Sequence, residues 1–177
     1  MKATGIVRRI DDLGRVVIPK EIRKTLRLRD GDALEIFTDA DGEVIFKKYS
    51  PIGEISAFAA QYAEAMNLHA GVPVIISDND KVVASSGIAK KEVANKSISK
   101  EIETLLEQRR AFTSESEKET LYPIEGLERK ASIVYPIIAA GDAVGSVIVL
   151  DSGEKPTETQ VKITGVAASF LGKQMEE

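Results

Sequence analysis

The chain has 177 residues, 43% of them hydrophobic, which is enough to bury the core of one medium or two small domains. Its 24 Lys and Arg and 28 Asp and Glu give a formal net charge of -4 at pH 7. The absence of cysteine excludes disulfide bonds, thiolate nucleophiles and cysteine-ligated zinc. Residues 1–10 lack the apolar core of a secretory signal, and no apolar run reaches the roughly 20 residues of a membrane helix. We therefore expect a cytoplasmic protein with no membrane partner.

Positive charge is concentrated at one end of the chain. Residues 1–29 carry nine Lys or Arg against three Asp or Glu, a net charge of +6. Like charges crowded together repel one another unless a partner neutralises them, so the pattern indicates an acidic partner. The alternative is a solvated surface of ion pairs, because Asp11, Asp12 and Glu21 lie close to these cations in sequence.

The first elements in chain order are short. Runs rich in Val, Ile and Phe between turn signals predict four strands, at residues 5–10, 15–19, 32–38 and 43–49. Between the second and third strands, Pro19 followed by Ile22 and Leu26 predicts one short helix. Elements this small, in about 50 residues without a disulfide or metal, bury little surface. Because the strand runs are apolar on both faces, we expect a dimer that interleaves its hairpins.

A Pro and a Gly in the segment YSPIGE, residues 49–54, mark a domain boundary. We place the domains at residues 1–53 and 54–177. The second domain contains patterns for a helix at 55–69, a hairpin around Asp78–Asp80 and a helix that starts near Ser97. A polar stretch at 112–130 without a clear period follows. A hairpin with Gly141 and Asp142 in its turn comes next, and then a helix at 158–175, capped by Thr157 with Gln160. The fold class is therefore α+β.

The last helix has a face of small residues formed by Gly165, Ala168 and Gly172. A glycine inside a helix costs about 1 kcal/mol relative to Ala, and close approach of another helix is one compensation. A surface position without consequence is the alternative. We expect the helices at 55–69 and 158–175 to pair between subunits, with the small residues permitting close contact.

Clustered arginines in the first domain have the chemistry of a DNA-binding surface. Arg8 and Arg9 lie on the first predicted strand, Arg15 follows the turn, and Arg23 and Lys24 lie on the helix. A guanidinium binds phosphate bidentately and also matches the two acceptors of a guanine edge.

The segment GIVRRIDDLGRVVIPKEIR, within residues 1 to about 50, resembles the AbrB family of bacterial transition-state regulators. The resemblance implies a swapped-hairpin β-barrel dimer whose DNA contacts come from Arg8, Arg15, Arg23 and Lys24. Relatives often carry Arg where this chain has Lys24, and since Lys lacks the guanidinium fork, we expect it to contact phosphate.

The second half, with YPIIAAGDAVGSVIVLDS before the terminal helix, is similar to GAF domains. The whole chain also resembles sporulation transcription factors that combine the two domains. This similarity implies a DNA-binding transcriptional regulator, an activator or a repressor. We expect the second domains to join N-terminal dimers into a tetramer.

Two roles stay open for the GAF-like domain. In one, the polar stretch Thr113–Glu119 and its neighbours cover a pocket above the sheet and become ordered when an unknown small molecule binds. In the other, the domain only holds subunits together.

We expect no cofactor, no metal site and no enzymatic activity. The chain lacks cysteine, has a single histidine, His69, and contains neither a GxxxxGK[ST] nor a GxGxxG motif. The alternative function is an antitoxin-like interaction module, because antitoxins share the N-terminal fold. Antitoxins usually continue into a disordered tail, whereas residues 54–177 have a globular pattern.

Overall fold

A computed structural model describes residues 4–115 and 120–176, and it divides the chain into two compact units. The first unit ends at Tyr49 and the second begins at Ser50. The boundary proposed from the sequence lies four residues later, after residue 53. The elements are helical and antiparallel, so the α+β class is confirmed.

Within residues 4–49, the first unit contains one helix and one hairpin. Helix α1 spans Lys20–Thr25 and begins after Pro19, whose fixed φ and missing N–H suit a helix start. Strands β1 (Leu34–Thr38) and β2 (Val44–Lys48) pair antiparallel, with Ile36 opposite Phe46. The strands predicted at 5–10 and 15–19 do not form in the described chain, where no ladder of backbone hydrogen bonds pairs either segment with another strand.

The first unit has almost no interior of its own. Among its described residues, 4–49, Pro19 alone is buried. Its large apolar side chains are largely exposed: Ile6, Val7, Ile10, Leu13, Val16, Val17, Leu26, Ile36, Val44, Phe46 and Tyr49. A chain that leaves this much apolar surface in water forgoes the main favourable term of folding.

The second unit begins with two consecutive helices. Helix α2 (Pro51–Glu54) is capped by the Ser50 hydroxyl, which accepts a hydrogen bond from the Gly53 N–H at 3.1 Å. Helix α3 (Ser56–Ala70) ends at Gly71, which has φ +68°, a conformation that glycine adopts without strain. The helix predicted at 55–69 is thus confirmed.

A five-stranded antiparallel sheet forms the centre of the second unit. Its strands are β3 (Val74–Ser77), β4 (Val82–Ser86), β5 (Phe112–Thr113), β6 (Ala131–Ala139) and β7 (Asp142–Leu150). They lie in the order β4-β3-β7-β6-β5. The two hairpins predicted from their turn residues are β3–β4 and β6–β7. Helices α4 (Lys90–Val93) and α5 (Lys100–Glu107) lie between β4 and β5 in sequence, and α6 (Glu158–Gln174) closes the chain.

Asp78 organises the β3–β4 turn. Its Oδ1 accepts hydrogen bonds from the backbone N–H groups of Asp80 and Lys81, both at 2.7 Å. Its Oδ2 accepts one from the Ser50 hydroxyl at 3.0 Å. The buried carboxylate therefore joins the first residue of this unit to the turn.

The sheet is covered on both faces, because neighbouring residues of its strands point in opposite directions. Val74 and Ile76 of β3 pack toward α3 and α6, whereas Ile75 packs toward α5. The first core also contains Ala63, Met66, Ile137, Val149 and Leu171. The second contains Ile98, Ile102, Leu106, Val134, Ile148 and Leu150. This arrangement explains why the strands are continuous apolar runs.

Residues 120–130 of the polar stretch at 112–130 contribute more to the core than the composition of the stretch predicts. Leu121, Ile124 and Leu127 are buried in the second core, and Ile124 forms an antiparallel bridge with Ile98. Residues 116–119 of the predicted pocket cover lie outside the described residues.

The small-residue face of α6 packs on the sheet. A Cβ added at Gly172 would lie 2.1 Å from the carbonyl oxygen of Ile138, and one at Gly165 would lie 3.2 Å from the Tyr135 ring. The expectation that these residues admit a helix of another subunit is wrong, because strand β6 of the same unit occupies that space.

No helix among the described residues is long and apolar enough to cross a membrane.

Gly172→Ala should destabilise the full chain by about 1–3 kcal/mol, because the added methyl group overlaps a backbone carbonyl that cannot move without shifting β6. The measurement is the midpoint of urea unfolding. Ser169→Ala, at an exposed position of the same helix, is the control and should leave the midpoint nearly unchanged. An unchanged midpoint for Gly172→Ala would contradict the packing described above.

Candidate nucleic-acid interface

Three of the four predicted DNA-binding cations lie at two local structures: Arg15 closes a turn, and Arg23 and Lys24 lie on helix α1. Arg8 precedes the turn in a segment without regular structure and is exposed. Arg23 and Lys24 are consecutive residues of α1. Among the described contacts, none joins one of the four predicted DNA-binding cations to another. The single chain therefore presents them separately.

Asp11 organises the turn that leads into Arg15. Its Oδ1 accepts hydrogen bonds from the backbone N–H groups of Leu13 at 3.0 Å and Arg15 at 2.8 Å. The backbone closes the turn with two further bonds, from the Asp11 N–H to the Arg15 carbonyl and from the Gly14 N–H to the Asp11 carbonyl. Gly14 has φ +74°, a conformation that is costly for residues with a Cβ. The sequence DDLGR therefore forms a compact side-chain-stabilised turn.

The second oxygen of the same carboxylate binds Arg15. Arg15 Nε donates to Asp11 Oδ2 at 2.8 Å. The hydrogen bonds from the Arg15 backbone and then from the Arg15 side chain, with a smaller one from the Leu13 backbone, favour the ionised form, and they hold the pKa of Asp11 below its ordinary value.

Arg23 on α1 also has an acidic partner. Its Nη1 donates to Asp30 Oδ1 at 2.8 Å, and its Nε is buried without a hydrogen-bond partner in the described chain. Proximity in sequence predicts Asp11, Asp12 and Glu21 as partners of the cations. It does not predict Asp30, which lies seven residues after Arg23. Asp12 and Glu21, which were predicted, form no ion pair with a described residue.

A half-buried ion pair fixes the loop after α1 to the hairpin. Lys48 Nζ lies 3.0 Å from Asp32 Oδ2, and the same carboxylate oxygen accepts the Arg29 N–H at 2.8 Å. The Tyr49 N–H also donates to the Ala33 carbonyl. The helix that carries Arg23 and Lys24 is therefore attached to β1 and β2 through its following loop.

Each of the two units matches a known protein family. Residues 54–176 match the family model described as "Stage V sporulation protein T C-terminal, transcription factor". The chain belongs to the stage V sporulation protein T family. Stage V sporulation protein T of Bacillus subtilis (strain 168) is 50% identical over 179 residues, which cover 100% of both chains. The chain is accordingly a DNA-binding transcriptional regulator.

The first unit has its own relatives. Residues 7–54 match the model "Antidote-toxin recognition MazE, bacterial antitoxin". The transition state regulatory protein AbrB of Bacillus subtilis (strain 168) is 61% identical over 51 residues, which cover 29% of this chain and 52% of the relative. The predicted similarity to AbrB is confirmed.

The second unit is similar in fold to GAF domains. The blue-light absorbing form of the PixJ GAF domain from Thermosynechococcus elongatus is 18% identical, with a TM-score of 0.56, and the match covers 71% of this chain and 87% of that domain. At this identity the similarity concerns the fold alone. The expected combination of an AbrB-like and a GAF-like unit is confirmed.

Proposed function

We propose that an interleaved dimer of the first unit binds double-stranded DNA through two copies of Arg8, Arg15, Arg23 and Lys24. The observation that supports DNA binding most strongly is the net charge of +6 on residues 1–29 of a chain whose total net charge is -4. Every one of these four side chains except Arg23 is exposed, and Arg23 is partly so. The regulatory role of the family requires DNA contact, and this is the strongly basic segment available for it.

Support for the dimer comes from both faces of the β1–β2 hairpin. Ile36 and Phe46 are opposite each other on one face, whereas Phe37 and Ile45 are opposite each other on the other. Ile36 is 62% exposed, and Phe46 opposite it is 42% exposed. Each such side chain would contribute about 1.5–3 kcal/mol if a second chain covered it. The uncovered runs at 5–10 and 15–19 would supply the strands that cover the hairpin.

We propose a second contact between subunits on the outer side of α3 and α6. Phe58, Tyr62 and Phe170 form an aromatic cluster with ring centroids 5.8–6.3 Å apart. Val166, one helical turn from Phe170, is 62% exposed. A matching surface on a second copy would cover these side chains and join dimers into a tetramer. The GAF-like unit then acts as an oligomerisation module, and its role as a sensor of a small molecule stays a prediction.

Ile36→Gln should convert the tetramer into a dimer, because a polar amide replaces an apolar side chain at the interleaved interface in every subunit. The measurement is sedimentation equilibrium of the full chain. Glu35→Gln, on the opposite face of the same strand, is the control and should leave the tetramer intact. A tetramer that tolerates Ile36→Gln would contradict the interleaved dimer.

Val166→Gln should also convert the tetramer into a dimer, here by separating the second units, and adding Ile36→Gln to it should give monomers. Ser169→Gln, exposed on the same helix, is the matched control. Sedimentation equilibrium distinguishes the two dimers when each is mixed with DNA, because the Val166→Gln dimer keeps the paired N-terminal units and should bind. If Val166→Gln stayed tetrameric, the α3–α6 contact would be wrong.

Arginine and lysine have different roles in this surface. The guanidinium groups of Arg8, Arg15 and Arg23 can read guanine edges or grip phosphate, whereas the ammonium of Lys24 is a point charge suited to phosphate. If all four side chains contacted phosphate in each of two subunits, a plot of log K against log salt would have a slope of about -7, and the slope is shallower where an Arg reads a base instead.

Lys24→Ala should make that slope shallower by about 2, since one phosphate contact is lost in each of two subunits. Affinity should fall to a similar extent for all duplex sequences. The measurement is fluorescence anisotropy of a labelled duplex over a range of salt concentration. Lys91→Ala removes the same charge from an exposed site in the second unit and should not change the slope. Equal effects of the two substitutions would contradict a DNA contact at Lys24.

The antitoxin hypothesis has one observation in its favour, the match of residues 7–54 to an antitoxin model. It predicts a segment without a core after the DNA-binding unit. The described residues from Ser50 to Glu176 instead form a sheet with a packed core on each face. We therefore favour the regulator, and no catalytic step is part of this proposal.

A further inference from the structure

We propose that Asp11 is a positioning residue for DNA recognition, which holds the Arg15 guanidinium so that its two terminal nitrogens face outward as a fork. The inference rests on the proposed DNA contact of Arg15. It assigns to an acidic residue, inside the basic segment, a role in reading sequence instead of a role in neutralising charge.

The carboxylate of Asp11 is itself fixed before it meets Arg15. Its Oδ1 is held by two backbone N–H groups, those of Leu13 and Arg15, and the backbone of the turn closes around it. Its side chain is 38% exposed. A group with this many local bonds has little freedom to turn, so Oδ2 occupies a defined position relative to the chain.

Arg15 uses only its inner nitrogen for this carboxylate. The Nε–Oδ2 distance is 2.8 Å, and Nη1 and Nη2 form no hydrogen bond with a described residue. The Arg15 side chain is 69% exposed. The two terminal nitrogens therefore remain available as a pair of donors, the arrangement that matches guanine O6 and N7. Fixing them in advance reduces the side-chain entropy lost when DNA binds.

Asp30, the partner of Arg23, differs from Asp11 in how its carboxylate is held and in which nitrogen of the arginine it binds. Its side chain is 96% exposed, and within the described chain no backbone N–H donates to its carboxylate. It binds Nη1, so it occupies half of the Arg23 fork. Asp30 must leave before Arg23 can use both terminal nitrogens. The anchoring geometry is therefore specific to the Asp11–Arg15 pair.

Loss of the Asp11–Arg15 contact should lower the sequence specificity of DNA binding and leave the stability of the fold nearly unchanged. An exposed ion pair of this kind contributes little to folding. An acid near DNA also repels phosphate, so removing it raises affinity for any duplex. If Asp11 orients a guanidinium that reads a base, removing Asp11 lowers the preference for one sequence over another, even while affinity for any duplex rises.

Asp11→Asn separates these effects. The amide oxygen still accepts the two backbone N–H groups, but the amide nitrogen cannot accept the Nε–H of Arg15. Asp12→Asn is the matched control, because it makes the same charge change at the next residue, and the described chain shows no contact between Asp12 and a cation. The specific probe is a duplex selected by the wild-type chain from a random-sequence pool. The competitor is a scrambled duplex of the same composition.

The ratio of affinities for the two duplexes should fall at least about fivefold in Asp11→Asn and stay unchanged in Asp12→Asn. In an Arg15→Ala or Arg15→Lys background, Asp11→Asn should cause no further fall. Equal gains in affinity for both duplexes in the two Asn variants would overturn the inference, and so would a fall that persists without Arg15. A wild-type chain that binds every duplex equally would also overturn the inference, whereas a wild-type chain that binds no duplex, or an Arg15→Ala variant with wild-type binding, would overturn the proposed DNA contact.

Discussion

Apolar surface that one copy of the chain leaves in water is the constraint on which the proposed assembly depends. In residues 4–49 the exposed side chains include Val7, Val17, Ile36 and Phe46, and one residue, Pro19, is buried. Hydrophobic burial is the dominant favourable term in folding, so a unit of this size needs a second surface. If a second chain supplies it, every DNA contact is present twice and at a fixed spacing. Folding, dimerisation and DNA binding of this unit then become one equilibrium.

The second unit solves the same physical problem within one chain. Its strands bury Val74, Ile76 and Val149 under α3 and α6, and they bury Ile75 and Ile148 on the opposite face. Glycines allow α6 to lie directly on β6. On the outer side of α3 and α6, the aromatic cluster of Phe58, Tyr62 and Phe170 and its neighbour Val166 form a partly exposed apolar patch. Such a patch on a unit that already has a packed core is suited to joining subunits.

Charge has more than one use in the basic segment. The excess of cations attracts DNA without regard to sequence, since phosphate is present at every position. Specific recognition requires in addition that a guanidinium be held in one orientation, and a fixed carboxylate can do this where a solvated one cannot. Asp11 is bound by the backbone and Asp30 is not, which separates two ion pairs of equal length.

The sequence by itself determined the features that depend on near neighbours. Helix ends are set by local signals, namely Pro19, Gly71 with its left-handed backbone and the Thr157–Gln160 capping box. Turn residues likewise set both hairpins of the second unit. In each case a few consecutive residues contain the whole signal.

Only the tertiary structure decided which distant groups meet: that Gly172 faces the Ile138 carbonyl, that Arg23 finds Asp30, and that Leu121 enters a core from a polar stretch. The strands expected at 5–10 and 15–19 show the same limit, because a strand exists only where another lies beside it. Periodicity in a sequence shows that a surface needs a partner, and only the packed chain shows which surface is the partner.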